Sequence, residues 1–113
     1  MRYTQWEVMV VAPAQKEIRA LPADLQARYL RLVEVIQEHG PGSLGMPHVR
    51  HLEGKLWELR LKGRDGIARA LYVCASQRRV VVLHAFVKKS QKTPRRAIET
   101  ARRRWEEEGN EEP

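Results

Sequence analysis

A predicted buried strand and a predicted helix meet in residues 80–96, VVVLHAFVKKSQKTPRR. The run Val80–Leu83 favours a strand, and apolar residues on both of its faces are typical of a central strand. Thr93 is a good helix N-cap, and Pro94 suits the first helical position. Between and just after these elements lie cationic side chains at positions 88, 89, 92, 95 and 96. The sequence therefore predicts a strand that delivers cations to a strand-to-helix turn.

Two interpretations of this basic turn stay open. A rigid strand end that holds cations can grip a phosphate backbone and stabilise charge on it. The alternative is a solvated basic loop, as charge runs usually are. The net charge of +7 makes a polyanion the first partner to consider. An acidic protein would satisfy the same field, so charge alone does not choose between them.

The length of 113 residues predicts one small domain with one core, which we place at residues 1–106. The acidic tail, residues 107–113, is expected to fray. The single cysteine, Cys74, excludes a disulfide within the chain and is predicted to be a buried small hydrophobe. No apolar run approaches the ~20 residues that span a bilayer, and the N-terminus lacks signal-peptide features. A cytoplasmic protein without membrane contact is expected.

Patterning elsewhere predicts one small α+β domain. The predicted elements before the basic turn are a strand at 3–11, helices at 14–20 and 23–39, a loop at 40–54, and strands at 55–62, 67–75 and 79–86. The helix at 23–39 is the clearest of these, because its apolar residues recur at helical spacing. Short connections between successive strands predict an antiparallel meander whose apolar faces the helices cover.

A charged face is predicted on the hairpin formed by strands 55–62 and 67–75. The turn between them, GRDG at 63–66, carries the strong Asp-Gly signal. Alternation turns Glu58, Arg60 and Lys62 away from the core. Arg69 is the lone charge in the next strand, where it is costly unless it is paired or lies at an open face. These groups can be neighbours across the hairpin, either as a phosphate clamp or as a structural ion pair between Glu58 and one arginine.

The loop at 40–54 is rich in glycine and proline and holds His48, Arg50 and His51. These side chains either line a phosphate-binding rim or belong to an ordinary polar loop. The His-x-x-His spacing can bind zinc, but no further ligand lies close by in sequence. We therefore predict no metal site and no cofactor.

Three stretches of the chain resemble the RelE/ParE toxin superfamily, and within it the HigB-like, phage-derived group of type II toxin–antitoxin systems. They are GPGSLGMPHVRHLEGKLWELR (40–60), ARALYV (68–73) and VLHAFVKKSQKTPRRAIETARRR (82–104). The last of these is close to a signature of the group. The resemblance implies a RelE/ParE-like α+β fold, a twisted antiparallel β-sheet with two N-terminal helices and one C-terminal helix.

The resemblance also implies a function. Toxins similar to this chain often act as ribosome-dependent endoribonucleases on mRNA. They are neutralised by a cognate antitoxin, which in this group is often a small helix-turn-helix protein, and we expect the toxin alone to be monomeric. Other members of the superfamily inhibit DNA gyrase. Three functions thus stay open: an mRNA endonuclease, an inhibitor of a protein target such as gyrase, and a basic RNA- or ribosome-binding module.

The cleavage chemistry names the candidate residues. Attack of an RNA 2′-hydroxyl on the adjacent phosphate needs a base, cations around the phosphorane, and an acid for the leaving oxygen. Arginine grips two phosphate oxygens at once, and a lysine with a depressed pKa can transfer protons. His84 has a suitable pKa, but its place in an apolar strand favours a structural histidine. The predicted catalytic residues are Arg60, Arg69, Lys89, Glu58 and His84. The predicted RNA-binding residues are Lys55, Lys62, Lys88, Lys92, Arg95, Arg96 and His51.

Overall fold

The computed structural model describes residues 5–45, 47–64, 66–89 and 92–109. The helices in these ranges are α1 (Ala12–Arg19), α2 (Ala23–His39) and α3 (Arg95–Glu107), with a short 3-10 turn at Pro41–Ser43. The strands are β1 (Glu7–Val10), β2 (Val49–Glu53), β3 (Leu56–Lys62), β4 (Ile67–Ala75) and β5 (Arg79–Val87). Three predicted features lie outside the described residues: the strand start at positions 3–4, Asp65 of the hairpin turn, and tail positions 110–113.

The strand predicted to be central, β5, lies between β1 and β4 in a sheet ordered β1-β5-β4-β3-β2. The pairs from β2 to β5 are antiparallel, whereas β1 runs parallel to β5, with Val8 beside Val80 and Val10 beside Val82. No hairpin turn joins β1 to β5, because the rest of the sheet lies between them in sequence, so nothing imposes an antiparallel pairing. The α+β class with its three helices is confirmed, and the sheet is mixed.

The prediction of a loop over residues 40–54 is wrong at its end, where β2 forms. β2 is an edge strand paired with β3, and Arg50 lies opposite Glu58 in the register. Val49 is buried and Leu52 is half-buried, the other residues of the strand are polar, and an irregularity interrupts its pairing between His51 and Glu53. An edge strand needs only one partner and one covered face, so its sequence carries little of the apolar alternation that identified the other strands.

The core forms where the helices pack on the sheet. α1 packs against β5, α2 against β3 and β1, and α3 against β5 and β4. The apolar stripe predicted for α2 comprises Leu25, Tyr29, Leu32, Val33 and Ile36, and all of these are buried except Val33, which is half-buried. α2 ends at His39 and is followed by Gly40, whose φ of 87° is unfavourable for other residues. None of the helices in the described ranges is long and apolar enough to cross a membrane.

Cys74 is exposed, so the prediction of a buried small hydrophobe is wrong. β4 is buried from Ala68 to Val73, and at Cys74 that coverage ends. The thiol lies in an open groove that Tyr72 and Gly45 also line. An apolar run in the sequence does not reveal where the helices stop covering the strand.

Candidate functional site

The register of β2, β3 and β4 gathers charged residues on one face of the sheet. Arg60 lies opposite Arg69, and Glu58 lies opposite both Arg50 and Leu71. Because cross-strand partners point to the same side of a sheet, all of these side chains share one face. Lys88 follows β5, and its backbone N–H donates to the carbonyl oxygen of Ile67 at 2.7 Å. We call Arg50, Glu58, Arg60, Arg69 and Lys88 the basic face.

Arg69 is buried within the basic face. Only 1% of its surface is exposed, and Glu58 beside it is 3% exposed. Arg69 Nη1 lies 3.3 Å from Glu58 Oε1 and donates a hydrogen bond of 2.5 Å to Thr93 Oγ1. The Thr93 hydroxyl in turn donates to Glu58 Oε1. We call Glu58, Arg69 and Thr93 the buried triad; its geometry supports a structural ion pair, because the Arg69 guanidinium is not presented to a ligand.

The role of Thr93 differs from the predicted one. α3 starts at Arg95 with Pro94 at the cap position, and Pro94 makes no side-chain hydrogen bond to the helix. The Thr93 side chain is 7% exposed and bonds inside the buried triad instead. A hydroxyl left unbonded next to a buried charge pair costs more than an uncapped, solvated helix end. The start of α3 is therefore fastened to β3 and β4 by this residue.

The charges of the basic face act on one another. Desolvation lowers the pKa of Arg69, Glu58 raises it, and Arg60 and Arg50 lower it further. The pKa of Lys88 is also lowered, first by desolvation and then by repulsion from Arg69 and Arg60, with Glu58 opposing. A lysine whose pKa is depressed by neighbouring cations is one suited to proton transfer. The direction of this shift makes Lys88 a candidate for proton transfer.

The predicted catalytic lysine, Lys89, is exposed, whereas Lys88 is half-buried beside the arginines. Successive residues at the end of a strand point in opposite directions, so only one of the two faces the cluster. The sequence did not distinguish them, because both directly follow the apolar strand. The catalytic role of Lys89 stays a prediction.

His84 belongs to a separate ion cluster. Its Nδ1 lies 2.9 Å from Glu17 Oε1, and Arg104 binds both carboxylate oxygens of Glu17 at 2.9 Å. The backbone N–H of Ala85 also donates to Glu17, at 3.0 Å. Desolvation alone would raise the pKa of Glu17, but the bonds from Arg104, Ala85 and His84 outweigh it and the pKa is lowered. The cluster ties α1, β5 and α3 together and supports the structural interpretation of His84.

A groove of about 520 Å³ opens between β2 and the start of α3. Its lining residues are Arg50, His51, Leu52, Glu53, Lys92, Thr93, Pro94, Arg95 and Ile98. We call it the β2–α3 groove. Three predicted RNA-binding residues, His51, Lys92 and Arg95, border it. It adjoins the basic face through Arg50 and the buried triad through Thr93, so a ligand in the groove would lie next to both.

Glu53 holds this groove together. Its two carboxylate oxygens accept from Arg95 at 2.5 and 3.3 Å, and it also pairs with Arg102. The hydrogen bond from Arg95 is the main cause of the lowered pKa of Glu53. Arg95 is thereby engaged in joining α3 to β2. Its predicted role in RNA binding would have to be compatible with that contact.

The other predicted RNA-binding residues lie around the site. Lys55, Lys62 and Arg96 are exposed, at the β2–β3 turn, at the end of β3 and at the start of α3. His51 is oriented by a 2.7 Å contact of its Nε2 with the Gly54 carbonyl oxygen and by the Trp57 ring, 5.0 Å away. In the described part of the chain, no three His, Cys, Asp or Glu side chains form a group that could hold a metal.

Arg50 was considered as part of a phosphate-binding rim, but it was not among the predicted catalytic or RNA-binding residues. Its placement depends on β2, which the glycine- and proline-rich composition concealed. The available signal was the alternation in VRHLE, residues 49–53, where Arg50 and Leu52 fall on one side. Pairing this stretch with the clear strand after it would have placed Arg50 beside Glu58.

Comparison with known proteins identifies the family. Residues 16–106 match the family described as phage-derived protein Gp49-like. Among solved structures, the archaeal RelE–RelB complex from Pyrococcus horikoshii gives a TM-score of 0.57 at 21% identity, covering 74% of this chain and 94% of that one. A mutant of the Escherichia coli toxin RelE in the free state gives 0.55 at 17% identity, covering 72% and 81%.

No curated protein matches the chain. The family match covers most of the chain, and the structural matches show the fold alone, because their sequence identity is low. Together these findings confirm the assignment that the sequence suggested. The chain belongs to the Gp49-like family of phage-derived proteins and has the fold of the RelE toxins.

Proposed function

We propose that this protein is the toxin of a type II toxin–antitoxin system and that it cleaves mRNA on the ribosome. The observation that carries the proposal is the convergence of Arg50, Arg60 and Lys88 on one face of the sheet, beside the β2–α3 groove. Cations fixed on rigid strands are suited to stabilise the charge that develops on a phosphorane. The RelE fold supports the proposal, because one of the solved structures is of a toxin.

The reaction that suits this face is RNA cleavage by the neighbouring 2′-hydroxyl. A bond forms between the 2′-oxygen and phosphorus, and the bond from phosphorus to the 5′-oxygen breaks. The products are a 2′,3′-cyclic phosphate and a 5′-hydroxyl. A base takes the 2′-hydroxyl proton, and an acid donates a proton to the 5′-oxygen. Arginine and lysine supply the positive charge, so the proposed mechanism includes no metal ion.

The basic face divides this work between its residues. Arg60 is half-buried, and Arg50 is exposed beside it, so both can grip phosphate oxygens with a bidentate fork. Lys88, whose pKa is lowered, is the candidate for proton transfer. Arg69 and Glu58 lie underneath and hold the strands and α3 in place. In this proposal they are positioning residues, because Arg69 is too deeply buried to contact the phosphate.

Dependence on the ribosome follows from the weakness of this acid–base set. His84 is engaged with Glu17 and Arg104, and Glu58 is engaged in the buried triad. A general ribonuclease needs an accessible base and an accessible acid of suitable pKa. We propose that the ribosome supplies the missing orientation of the 2′-hydroxyl, and that translated mRNA is therefore the substrate.

We further propose that an antitoxin with an acidic contact surface covers the basic face. The net charge of +7 favours such a partner, and one solved structure of this fold is of a RelE–RelB complex. The proposed antitoxin is a helix-turn-helix protein, and the proposed toxin is a cytoplasmic monomer when alone. Pull-down of this chain with the product of the adjacent gene tests the partnership. Two folded proteins that fail to bind in low salt would contradict it.

Substitution of Arg60 tests the proposed function. In a cell-free translation extract, Arg60→Ala should weaken inhibition of protein synthesis by about two to three decades, because it removes a contact made to charge in the transition state. Arg31→Ala is the matched control, since Arg31 is exposed on α2, away from the basic face. Undiminished inhibition by Arg60→Ala would contradict the proposal. Arrest of DNA supercoiling without RNA cleavage would favour a gyrase inhibitor, and binding without either effect would favour an RNA- or ribosome-binding module.

A further inference from the structure

A second groove lies on the opposite side of the start of α3. It has a volume of about 360 Å³ and is bordered by β5 and α3. Its lining residues are His84, Phe86, Pro94, Arg96, Ala97, Thr100, Arg103 and Arg104. We call it the β5–α3 groove. Pro94 borders this groove and the β2–α3 groove alike, so the two grooves meet at the start of α3.

The charge of this groove is positive. No carboxylate is found among the described residues that line it. Arg104 is held by Glu17, but Arg96 and Arg103 are exposed. The only ion pair found for Arg103 among the described residues is a contact of 3.9 Å with Glu107, which is itself exposed. A long ion pair in water contributes little, so both guanidinium groups are accessible to an anion.

An aromatic surface forms the floor of the groove. Phe86 is half-buried, and its ring lies 5.0 Å from that of His84 at an interplanar angle of 30°. Glu17 fixes His84 in turn, so this pair of rings is held in one orientation. A nucleotide base can stack on these two rings without the entropic cost of ordering them on binding. Phosphate-binding arginines beside a rigid aromatic ring are the combination that binds single-stranded nucleic acid.

The position of the groove also suits an RNA chain that passes over the basic face. Phe86 lies directly opposite Arg69 in the register, and Arg69 lies opposite Arg60. Neighbouring strands are about 4.8 Å apart, so Phe86 is roughly 10 Å from Arg60 across the sheet. The successive residues Arg95 and Arg96 line different grooves, which continues the positive charge from one side of Pro94 to the other.

From these observations we infer that the β5–α3 groove is a binding subsite for one nucleotide of single-stranded RNA flanking the phosphate at Arg60. The base stacks on Phe86, and Arg96 and Arg103 bind the adjoining phosphates. This inference rests on the proposed function for its ligand. An acidic peptide is less suited to the groove, because a volume of about 360 Å³ beside a single aromatic pair accommodates one planar base better than the several side-chain anchors by which peptides are recognised.

Binding of an uncleavable oligonucleotide tests the subsite. The probe is a fluorescein-labelled RNA hexamer with 2′-O-methyl groups, which block the attacking hydroxyl, and affinity is measured by anisotropy over a range of salt. Arg96→Gln and Arg103→Gln should each reduce the slope of log affinity against log salt by about 0.7, the amount expected for one lost phosphate contact on a single strand. Phe86→Leu should weaken binding roughly tenfold through lost stacking, with the slope unchanged.

Arg31→Gln on α2 is the control and should bind like the wild type. Wild-type slopes and affinity in all three groove variants would overturn the inference, as would an equal loss in Arg31→Gln. Failure of the wild type to bind the hexamer at low salt would overturn it too. Groove variants that lose antitoxin binding but keep their RNA binding would also overturn it. Because Arg96 and Arg103 are exposed, their substitution tests the groove even if Phe86→Leu fails to fold.

The assay requires neither a ribosome nor cleavage, so the two proposals can fail separately. If the hexamer binds as expected and translated mRNA is not cleaved, the subsite stands and the proposed activity fails. If translated mRNA is cleaved and the groove variants bind the hexamer normally, the activity stands and the subsite fails.

Discussion

Replacing Arg69 with methionine tests whether this arginine stabilises the fold or performs the chemistry. Arg69 and Glu58 are 1% and 3% exposed and lie 3.3 Å apart, with Thr93 bonded to both. Removing the cation leaves Glu58 as a buried carboxylate that has lost its ion-pair partner and keeps the hydrogen bond from the Thr93 hydroxyl. Breaking a buried ion pair in this way costs about 3–5 kcal/mol. For a domain of this size, that loss lowers the melting temperature by roughly 10–20 °C.

A double-mutant cycle separates this explanation from a general loss of packing. Glu58→Leu alone should also destabilise strongly, because it leaves a buried guanidinium without its carboxylate. The double variant Arg69→Met with Glu58→Leu should be more stable than either single variant, since an apolar pair can replace a buried ion pair at little cost. Thr93→Val should cost about 1–2 kcal/mol by removing the hydroxyl that both partners use.

Thermal melting of the purified variants, followed by circular dichroism, measures these changes. Arg60→Met is the control, because Arg60 is half-buried on the same face and should change stability by no more than about 1 kcal/mol. A wild-type melting temperature for Arg69→Met, with activity abolished, would refute the structural explanation. It would return Arg69 to the phosphate clamp that the sequence also allowed.

Three further outcomes are expected. The pKa of Glu17 is lowered in the folded protein, so its contribution to stability is present above the ordinary carboxylate pKa of 4.5 and is lost as the pH falls below it. Glu17→Gln should therefore flatten the fall in melting temperature between about pH 6 and pH 3. An unchanged profile would contradict this. Glu53→Gln should lower the free energy of unfolding by at most about 1 kcal/mol, because its partner Arg95 is exposed. It should nevertheless speed amide hydrogen exchange at the start of α3. Unaltered exchange there would show that the contact does not hold the helix. Gly40→Ala should destabilise by about 1–3 kcal/mol, because its φ is 87° and a Cβ would lie 2.8 Å from the Trp6 indole nitrogen; full stability in chemical denaturation would argue against this strain.

Much of the fold was predictable because strong local signals and short connections coincide. The stripe of α2 and the alternation of β3 fix the faces that these two elements turn toward each other, although Glu58, predicted to point away from the core, is buried on the other face of β3. The turn at residues 63–66, closed by a bond from Gly63 N–H to the Gly66 carbonyl oxygen at 2.9 Å, then sets the register that places Arg60 opposite Arg69. A hairpin with a tight turn leaves one register, so this part of the site follows from the sequence alone.

The rest of the site depends on contacts between residues distant in sequence. Thr93 has the local signature of a helix cap, and only the arrival of α3 over β3 and β4 turns it toward Glu58. The packing of α3 over β3 and β4 also buries Arg69. The alternation of the sequence assigns Arg69 to one face of the sheet but does not show whether a helix covers that face. β2 gains its strand conformation from pairing with β3, and Arg50 enters the site with it. Packing of α3 and pairing of an edge strand are thus what the sequence patterns left undetermined.

Primer extension on one mRNA, with and without translation, tests the central claim most directly. Purified protein is added to the naked transcript and to the same transcript engaged by ribosomes, with Arg60→Ala in parallel. The proposed mechanism predicts cleavage within the reading frame only when the message is translated, with termini that match a 2′,3′-cyclic phosphate and a 5′-hydroxyl, and a loss of two to three decades in rate for Arg60→Ala. Equal cleavage of the naked transcript, or no cleavage of the translated one, would contradict it.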